Sequence, residues 1–194
     1  EVLYPPLSSP ERFRTEGFGD EIVSVCRITH HKRQHLLAEA LLHTKTPVRL
    51  ALYGAAVDLD YVHSLKAFAK TPALEGRLTV NDRWISESEK ADILSTALAS
   101  AYAALDEDSY GYPTLEAAHS GKCTLTCSDS GGVLEFVVDG TTGLVMEPDP
   151  REIAEAFDCL FLDREKAKAL GSSARDRVQE LKIDWDHVVG RLLS

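Results

Sequence analysis

The chain has 194 residues, of which 44% are apolar and 27% are charged, a balance typical of a soluble globular protein and not of a disordered or collagen-like chain. Asp and Glu number 31 against 21 Lys and Arg, so the net charge of −10 argues against nucleic acid as a partner. No apolar run approaches the roughly 20 residues that a transmembrane helix needs. We therefore expect one domain spanning residues 1–194, with no transmembrane segment.

The cysteine content indicates a reducing compartment. The four cysteines are Cys26, Cys123, Cys127 and Cys159. They do not form two pairs at zinc-like spacing, so we expect buried, reduced thiols and no metal site. The N-terminus has no apolar stretch of the kind found in signal peptides. Together these features predict a cytoplasmic protein.

Short apolar runs alternate with amphipathic segments along the chain. The first run, Ile22 to Cys26, predicts a buried strand, and the one-faced apolar spacing from Gln34 to Leu42 predicts a helix. The remaining predicted elements, in chain order, are a strand at 48–53, a helix at 59–68, a strand at 77–80, a helix at 86–98, a strand at 101–105, a helix at 113–119, a strand at 123–127, a short helix at 132–138, a strand at 143–146, and helices at 151–162 and 164–181.

Six strands, each followed by a helix, are the pattern of an α/β protein with a doubly wound parallel sheet of the Rossmann type. The strands are apolar throughout because helices cover both faces of such a sheet. Ligands bind outside the carboxyl ends of its strands. This rule directs attention to the loops after Cys26, Tyr53, Val80, Leu105 and Cys127.

The loop after the first strand carries two cations, Arg27 and Lys32. They stand at the carboxyl end of a central strand and just before a helix begins. Such a position suits a diphosphate, because side-chain cations and helix N–H groups both attract anions. A solvated basic loop in an acidic protein explains the same residues equally well.

A second segment has an acid at each end, Asp108 and Glu116, with seven residues between them. A glycine turn in its middle leads into a helix that starts with Pro113. Free N–H groups at that helix start can receive phosphate or sugar oxygens, and Glu116 can accept from hydroxyl groups. The alternative is a loop with a capping acid, since acids are common near helix N-termini.

A glycine pair, Gly131 and Gly132, follows the fifth predicted strand, and residues 139–145 (Asp-Gly-Thr-Thr-Gly-Leu-Val) form a second turn. Taken together and in this order, the three segments resemble the C-terminal half of a group 1 glycosyltransferase, a retaining, family 4-like enzyme with the GT-B fold. The Glu-x7-Glu signature of that family is matched by Asp108 to Glu116. The similarity runs over essentially the whole chain.

The resemblance implies a site for a nucleotide-sugar donor. Arg27 and Lys32 match the catalytic cations on the donor diphosphate, and Asp108 matches the acid beside the donor sugar. Thr114 and Leu115 would donate N–H groups to phosphate, and Glu116 would accept from the ribose. The full set of donor-binding residues implied is Gly54, Trp84, Tyr110, Gly111, Tyr112, Pro113, Thr114, Leu115 and Glu116.

The implied reaction is a hexosyl transfer with retention, from a UDP- or GDP-linked sugar and without a metal or other cofactor. It would serve cell-surface polysaccharide or glycoconjugate biosynthesis. The acceptor site of the family lies in an N-terminal domain, which this chain lacks, so the isolated domain is expected to be inactive. That missing domain would hold the protein peripherally at the inner face of the membrane.

Two residues depart from the family pattern: Asp108 is shorter than the usual Glu, and Cys26 replaces a Gly. A nucleotide-sugar binding module without turnover shares every donor residue and remains the alternative. An oxidoreductase of the Rossmann type is disfavoured, because no strand is followed by the dinucleotide glycine fingerprint.

Overall fold

The computed structural model describes residues 2–194 and contains one six-stranded sheet, in which every strand is parallel to its neighbours. The strand order is β3-β2-β1-β4-β5-β6, so β1 and β4 are central. The predicted doubly wound parallel sheet is thereby confirmed. The strands are β1 (Glu21–Val25), β2 (Arg49–Tyr53), β3 (Leu78–Asn81), β4 (Ala99–Ala101), β5 (Thr124–Cys127) and β6 (Gly143–Met146).

Helices cover both faces of the sheet. They are α1 (Gln34–Ala40), α2 (Leu59–Ala69), α3 (Glu87–Thr96), α4 (Tyr112–His119), α5 (Pro150–Leu162), α6 (Arg164–Glu180) and α7 (Trp185–Leu192). Side chains alternate along a strand, so Ile22 packs with α1, α2 and α5, whereas Val23 packs with α3 and α4 on the other face. Within residues 2–194, no helix combines the length and the apolar character needed to cross a membrane.

The fourth strand is displaced from its predicted position. The sequence predicted residues 101–105, but β4 comprises only Ala99–Ala101. Beyond it, the guanidinium of Arg33 donates to the carbonyl oxygens of Ala103 and Ala104, at 2.8 and 3.2 Å. These side-chain bonds take the place of sheet pairing at residues 103 and 104, so the predicted strand and the observed one share only Ala101.

Two helical predictions also differ from the structure. The segment predicted as a helix at 132–138 is a short 3-10 helix, Gly132–Glu135. The C-terminal helix α7 was not predicted, although Asp184 caps it by accepting from the His187 N–H at 2.7 Å. The predicted capping box of α3 is present, since Ser86 and Glu89 bond reciprocally.

The segment before β1 packs across the face covered by α3 and α4. Leu7 and Phe13 are buried there, and the Trp185 indole N–H donates to the Leu7 carbonyl oxygen at 2.9 Å. Further along this segment, the ammonium group of Lys122 donates to the Gly17 carbonyl oxygen and lies 3.7 Å from the ring centroid of Phe18. Residues 4–19 are therefore tied to the sheet at several points.

Lys122 is fully buried, and this burial lowers its pKa to about 8. Below that pH the lysine carries its charge in both the folded and the unfolded chain. Between about pH 8 and its ordinary value of 10.5, the unfolded chain binds the proton more tightly. The free energy of unfolding should therefore rise with pH across this interval.

We expect Lys122→Met to remove about 1–3 kcal/mol of this rise, because the variant has no buried ammonium to neutralise. Denaturant unfolding across the interval measures the effect. Lys168→Met is the matched control, since Lys168 is half-exposed and pairs with Glu165 on α6. Equal pH slopes for the parent and Lys122→Met would contradict the prediction.

Candidate functional site

The carboxyl ends of β1, β2 and β4 and the N-termini of α3 and α4 border a cleft of about 390 Å³, which we call the main cleft. Its volume is in the range of small-molecule binding sites. A neighbouring cavity of about 500 Å³, the side cleft, is lined by Thr29, His31 and the acids at 106–108, among others. The two clefts share Arg27, Lys32 and Glu107.

Most of the predicted site residues come together in the main cleft. They are Arg27, Lys32, Gly54, Trp84, Gly111, Tyr112, Pro113 and Glu116. These residues come from four separate parts of the chain, namely the loops after β1 and β2, the loop before α3 and the start of α4. Trp84 is 74% exposed and places an aromatic surface at the rim. The roles assigned to these residues remain predictions.

Three predicted residues lie beneath the cleft and do not line it: Tyr110, Thr114 and Leu115 are all buried. The Tyr110 hydroxyl donates to the Pro5 carbonyl oxygen. The Thr114 N–H, predicted to meet phosphate, donates to the Gly111 carbonyl oxygen at 3.0 Å. Because α4 begins at Tyr112, this bond closes the first turn of the helix. The Thr114 N–H is therefore already used within the chain.

Asp108 lies in the side cleft and does not line the main one. The sequence predicted this residue as the first acid of the signature, beside the donor sugar. Its neighbour Glu107 lines both clefts and forms an ion pair with Lys32. The acid in direct contact with Lys32 is therefore Glu107, which the sequence analysis did not select.

Lys32, Tyr102 and Glu107 form a closed triangle of hydrogen bonds. The Lys32 Nζ donates to Glu107 Oε1 at 2.5 Å and to the Tyr102 hydroxyl at 2.7 Å, and that hydroxyl donates to Glu107 Oε2 at 2.6 Å. Burial pushes the pKa of Glu107 upward, but Lys32 and Tyr102 outweigh it and hold the pKa below its ordinary value. Burial and the Glu107 carboxylate both raise the pKa of Tyr102.

A second buried carboxylate, Glu116, lies at the start of α4 with only 4% of its side chain exposed. Its Oε1 accepts from the Lys90 ammonium at 2.9 Å, and Lys90 also pairs with Glu87 at 2.8 Å. Burial raises the pKa of Glu116, and the Lys90 charge opposes this shift. Lys90 therefore holds an acceptor oxygen of Glu116 at the wall of the main cleft.

The glycine pair after β5, Gly131 and Gly132, allows close packing against the loop that carries the three acids at residues 106–108. A Cβ at Gly131 would stand 2.5 Å from the Glu107 carbonyl oxygen, and one at Gly132 would stand 2.8 Å from backbone atoms of Ser109. The Gly132 N–H donates to that Glu107 oxygen at 2.7 Å. The two glycines therefore do more than permit a turn. Because they have no side chains, the loop at residues 106–109 can pack against the turn that follows β5.

Arg33 joins three loops beneath the side cleft. Besides the carbonyl oxygens of Ala103 and Ala104, its guanidinium bonds both carboxylate oxygens of Asp129, at 2.6 and 2.7 Å. The Arg33 hydrogen bonds lower the pKa of Asp129, against the opposing effect of burial. Arg33 therefore fixes the end of β4 against the loops that follow β1 and β5.

Four residues of this site were missed from the sequence: Arg33, Lys90, Tyr102 and Glu107. Glu107 is the middle acid of three in a row and the only Glu among them, so its residue type was a signal that could have been used, although the spacing of seven residues before Glu116 selected Asp108. Lys90 reaches Glu116 from a different helix, so only the tertiary structure pairs them. Arg33 directly follows Lys32, and a third cation at the helix start was a signal that could have been used. Among residues 2–194, no three His, Cys, Asp or Glu side chains are grouped so as to hold a metal ion.

The fold and the cleft at its strand ends define an α/β protein of the kind that binds ligands at the carboxyl edge of a parallel sheet. The sequence model of the family described as glycosyl transferases group 1 matches residues 11–177. The chain belongs to this family.

Two curated relatives illustrate the similarity. The chain is 30% identical over 131 residues to the alpha-1,3/1,6-mannosyltransferase of Dictyostelium discoideum, covering 66% of this chain and 30% of the relative. It is 29% identical over 210 residues to the alpha-maltose-1-phosphate synthase of Mycolicibacterium smegmatis, covering 100% of this chain and 53% of the relative. The chain thus spans about half, or less, of the length of these relatives.

Solved structures show the same fold. HepE of Anabaena, in complex with UDP and glucose, superposes with a TM-score of 0.80 at 22% identity, covering 90% of this chain and 47% of that one. The C-terminal domain of the group 1 family protein LpcC from Francisella tularensis superposes with a TM-score of 0.74 at 22% identity. This match covers 92% of this chain and 95% of that one, so the chain has the fold of a group 1 C-terminal domain.

Proposed function

We propose that this chain binds a nucleoside-diphosphate sugar in the main cleft and, together with an N-terminal acceptor-binding domain, transfers the sugar with retention at the anomeric carbon. The observation that carries the proposal is the convergence of Arg27, Lys32, the N-terminus of α4 and Glu116 on one cleft. Two cations and a helix N-terminus suit a diphosphate, and a buried carboxylate beside them suits ribose hydroxyls.

The leaving group of such a transfer is a nucleoside diphosphate, on which negative charge develops as the glycosidic bond breaks. Arg27 and Lys32 supply positive charge at that position, and the N-terminus of α4 adds the N–H ends of its peptide dipoles. Prepositioned charges of this kind stabilise a transition state without further reorganisation. In this proposal they take the part that a divalent cation plays elsewhere, so transfer proceeds without a metal.

The nucleoside would lie between Trp84 and Glu116. Trp84 presents an exposed ring on which a base can stack, and Glu116 is held by Lys90 as an acceptor for the ribose. Asp108, in the side cleft with Arg27 and Lys32, would then face the sugar. One relative is named a GDP-mannose-dependent mannosyltransferase, and HepE is described with UDP-glucose, so we propose a UDP- or GDP-linked hexose.

Titration calorimetry with UDP, GDP and ADP tests the proposed site directly. We expect weak binding of one or more of these nucleotides, because one wall of the complete cleft would come from the N-terminal domain. Heats absent for all three at millimolar ligand would contradict the proposal. A transfer assay of a protein that includes the N-terminal half then separates an enzyme from a binding module.

Glu116→Gln tests the residue assigned to the ribose. We expect the variant to lose about 1–2 kcal/mol in binding a ribonucleotide, because the amide accepts hydrogen bonds more weakly than the carboxylate. A 2′,3′-dideoxy nucleotide should bind parent and variant alike. Calorimetry on the four combinations gives the coupling between the mutation and the ribose hydroxyls.

Glu87→Gln is the matched control for this cycle, since it removes the other carboxylate that pairs with Lys90 and leaves Glu116 with its ammonium partner. Its effect should be equal for the two nucleotides. A coupling near zero for Glu116→Gln would show that Glu116 does not contact the ribose.

A further inference from the structure

Glu107 presents its carboxylate to the cation that the proposed function assigns to the diphosphate. Glu107 Oε1 lies 2.5 Å from Lys32 Nζ and 3.2 Å from His31 Nε2, and its Oε2 accepts from Tyr102. Two of the three N–H groups of the Lys32 ammonium are therefore already used, one by Glu107 and one by Tyr102. Lys32 already has an anionic partner within the chain.

This ion pair is well shielded from solvent and lies between the two clefts. Only 8% of the Lys32 side chain and 15% of the Glu107 side chain are exposed, and both residues line the main and the side cleft. An ion pair this shielded is weakened little by salt. Whatever anion enters between the clefts therefore meets Glu107 as well as Lys32.

The backbone of Glu107 is held in place from both sides. Its N–H donates to the Ser130 carbonyl oxygen at 3.3 Å, and its carbonyl oxygen accepts from the Gly132 N–H at 2.7 Å. Asp106, the residue before it, has a φ of 45° and bonds to the Asp129 carbonyl oxygen. The loop is thus anchored, so the carboxylate and Lys32 can separate by side-chain rotation and not by a shift of the loop.

We propose that Glu107 is an internal counter-ion which competes with the donor diphosphate for Lys32, so that Glu107 lowers the affinity of the site for its donor. The inference rests on the proposed function, because it takes Lys32 as a diphosphate ligand. Two anions that share one ammonium repel each other, and the repulsion is strong where solvent is excluded. The same contact holds the Lys32 ammonium in position when no donor is bound.

The proposed competition for Lys32 also predicts that the site takes up a proton when the nucleotide binds, because of the charged and titratable groups around Glu107. They are Lys32, His31 and Tyr102 in contact with it, and Arg27, Asp106 and Asp108 around the side cleft. When a diphosphate binds Lys32, Glu107 shares its nearest cation with that anion and gains a negatively charged neighbour. The pKa of Glu107, which Lys32 and Tyr102 hold down against the effect of burial, should then rise. Under mildly acidic conditions the site should take up a proton as the nucleotide binds.

The test compares the parent with Glu107→Gln by calorimetry with UDP and GDP. We expect Glu107→Gln to bind the nucleotide roughly tenfold more tightly, which corresponds to about 1.4 kcal/mol. Asp106→Asn is the matched control, because it removes an acid of the same loop and Asn tolerates a positive φ. The affinity of Asp106→Asn for the nucleotide should stay within about threefold of the parent's, because the variant removes one nearby negative charge but no contact with Lys32.

Proton uptake by the parent provides a measurement that does not depend on how well the variant folds. Titrations with a UDP- or GDP-linked sugar, whose esterified diphosphate has no proton that titrates in mildly acidic solution, are made in buffers of different ionisation enthalpy. They should show uptake in the parent, and where Glu107→Gln is folded, the uptake should be smaller. Weaker or unchanged binding by Glu107→Gln, or a parent without uptake, would overturn the inference. A parent that binds neither nucleotide would instead refute the proposed function, and this inference with it.

Discussion

Gly54→Ala is expected to lower the free energy of unfolding by about 3 kcal/mol or more, the cost of forcing a side chain into closely packed backbone. A Cβ at this position would stand 1.9 Å from the carbonyl oxygen of Cys26 and 2.7 Å from its carbonyl carbon. The backbone cannot yield easily, since Val25 pairs with Tyr53 in the sheet and the Gly54 N–H donates to the Asn81 carbonyl oxygen at 3.1 Å. The ends of β1 and β2 would have to separate.

These strand ends border the main cleft, so the same change should also abolish detectable nucleotide binding. Denaturant unfolding measures the first effect and calorimetry the second. Gly17→Ala is the matched control, because no atom lies within 4 Å of the added Cβ, and its stability should change by at most about 0.5 kcal/mol. A Gly54→Ala protein as stable as Gly17→Ala would show that the strand ends are not closely packed.

Arg33→Met is expected to cost about 3 kcal/mol of unfolding free energy, because a buried guanidinium that makes four hydrogen bonds is lost, two of them to buried carbonyl oxygens. Arg33 is 9% exposed and donates to two carbonyl oxygens and to both oxygens of Asp129. Methionine keeps the apolar part of the side chain but leaves those acceptors without a donor. Denaturant unfolding measures the loss, and a double-mutant cycle with Asp129→Asn assigns the share due to the carboxylate.

Arg14→Met provides the control for Arg33. Arg14 also bonds two carboxylates, those of Glu16 and Asp92, both at 2.8 Å, but its side chain is 48% exposed. Water screens and competes with such a pair, so its loss should cost much less than the loss of Arg33. Similar costs for the two arginines would contradict the structural role given to Arg33.

The elements that the sequence predicted best are those with an unambiguous apolar pattern. β1 and β2 are nearly continuous apolar runs, and the structure has them within one residue of the predictions. β4 is made of small residues without such a run, and bonds from Arg33, a residue on another loop, decide where it ends. The prediction failed there because the competing contact comes from a segment distant in the sequence.

The sequence selected some residues of the candidate site and missed others, for a similar reason. A spacing such as that from Asp108 to Glu116 places residues on one loop and one helix, so the main cleft does contain most of that segment. Which acid faces Lys32 depends on how the loop is anchored, and the contacts of Glu107 with Gly132 and Ser130 decide it. Those partners lie more than twenty residues further along the chain.

By itself, the sequence determined the class of fold, the edge of the sheet that carries the main cleft, and most of the segments that line it. These follow from local periodicity and from the rule that parallel strands end at one edge. Only the tertiary structure decided the pairs: Lys32 with Glu107, Lys90 with Glu116, and Arg33 with Asp129. Each pair joins side chains that are distant in the sequence, and the strength of an ion pair depends on separation and burial, which a linear pattern does not contain.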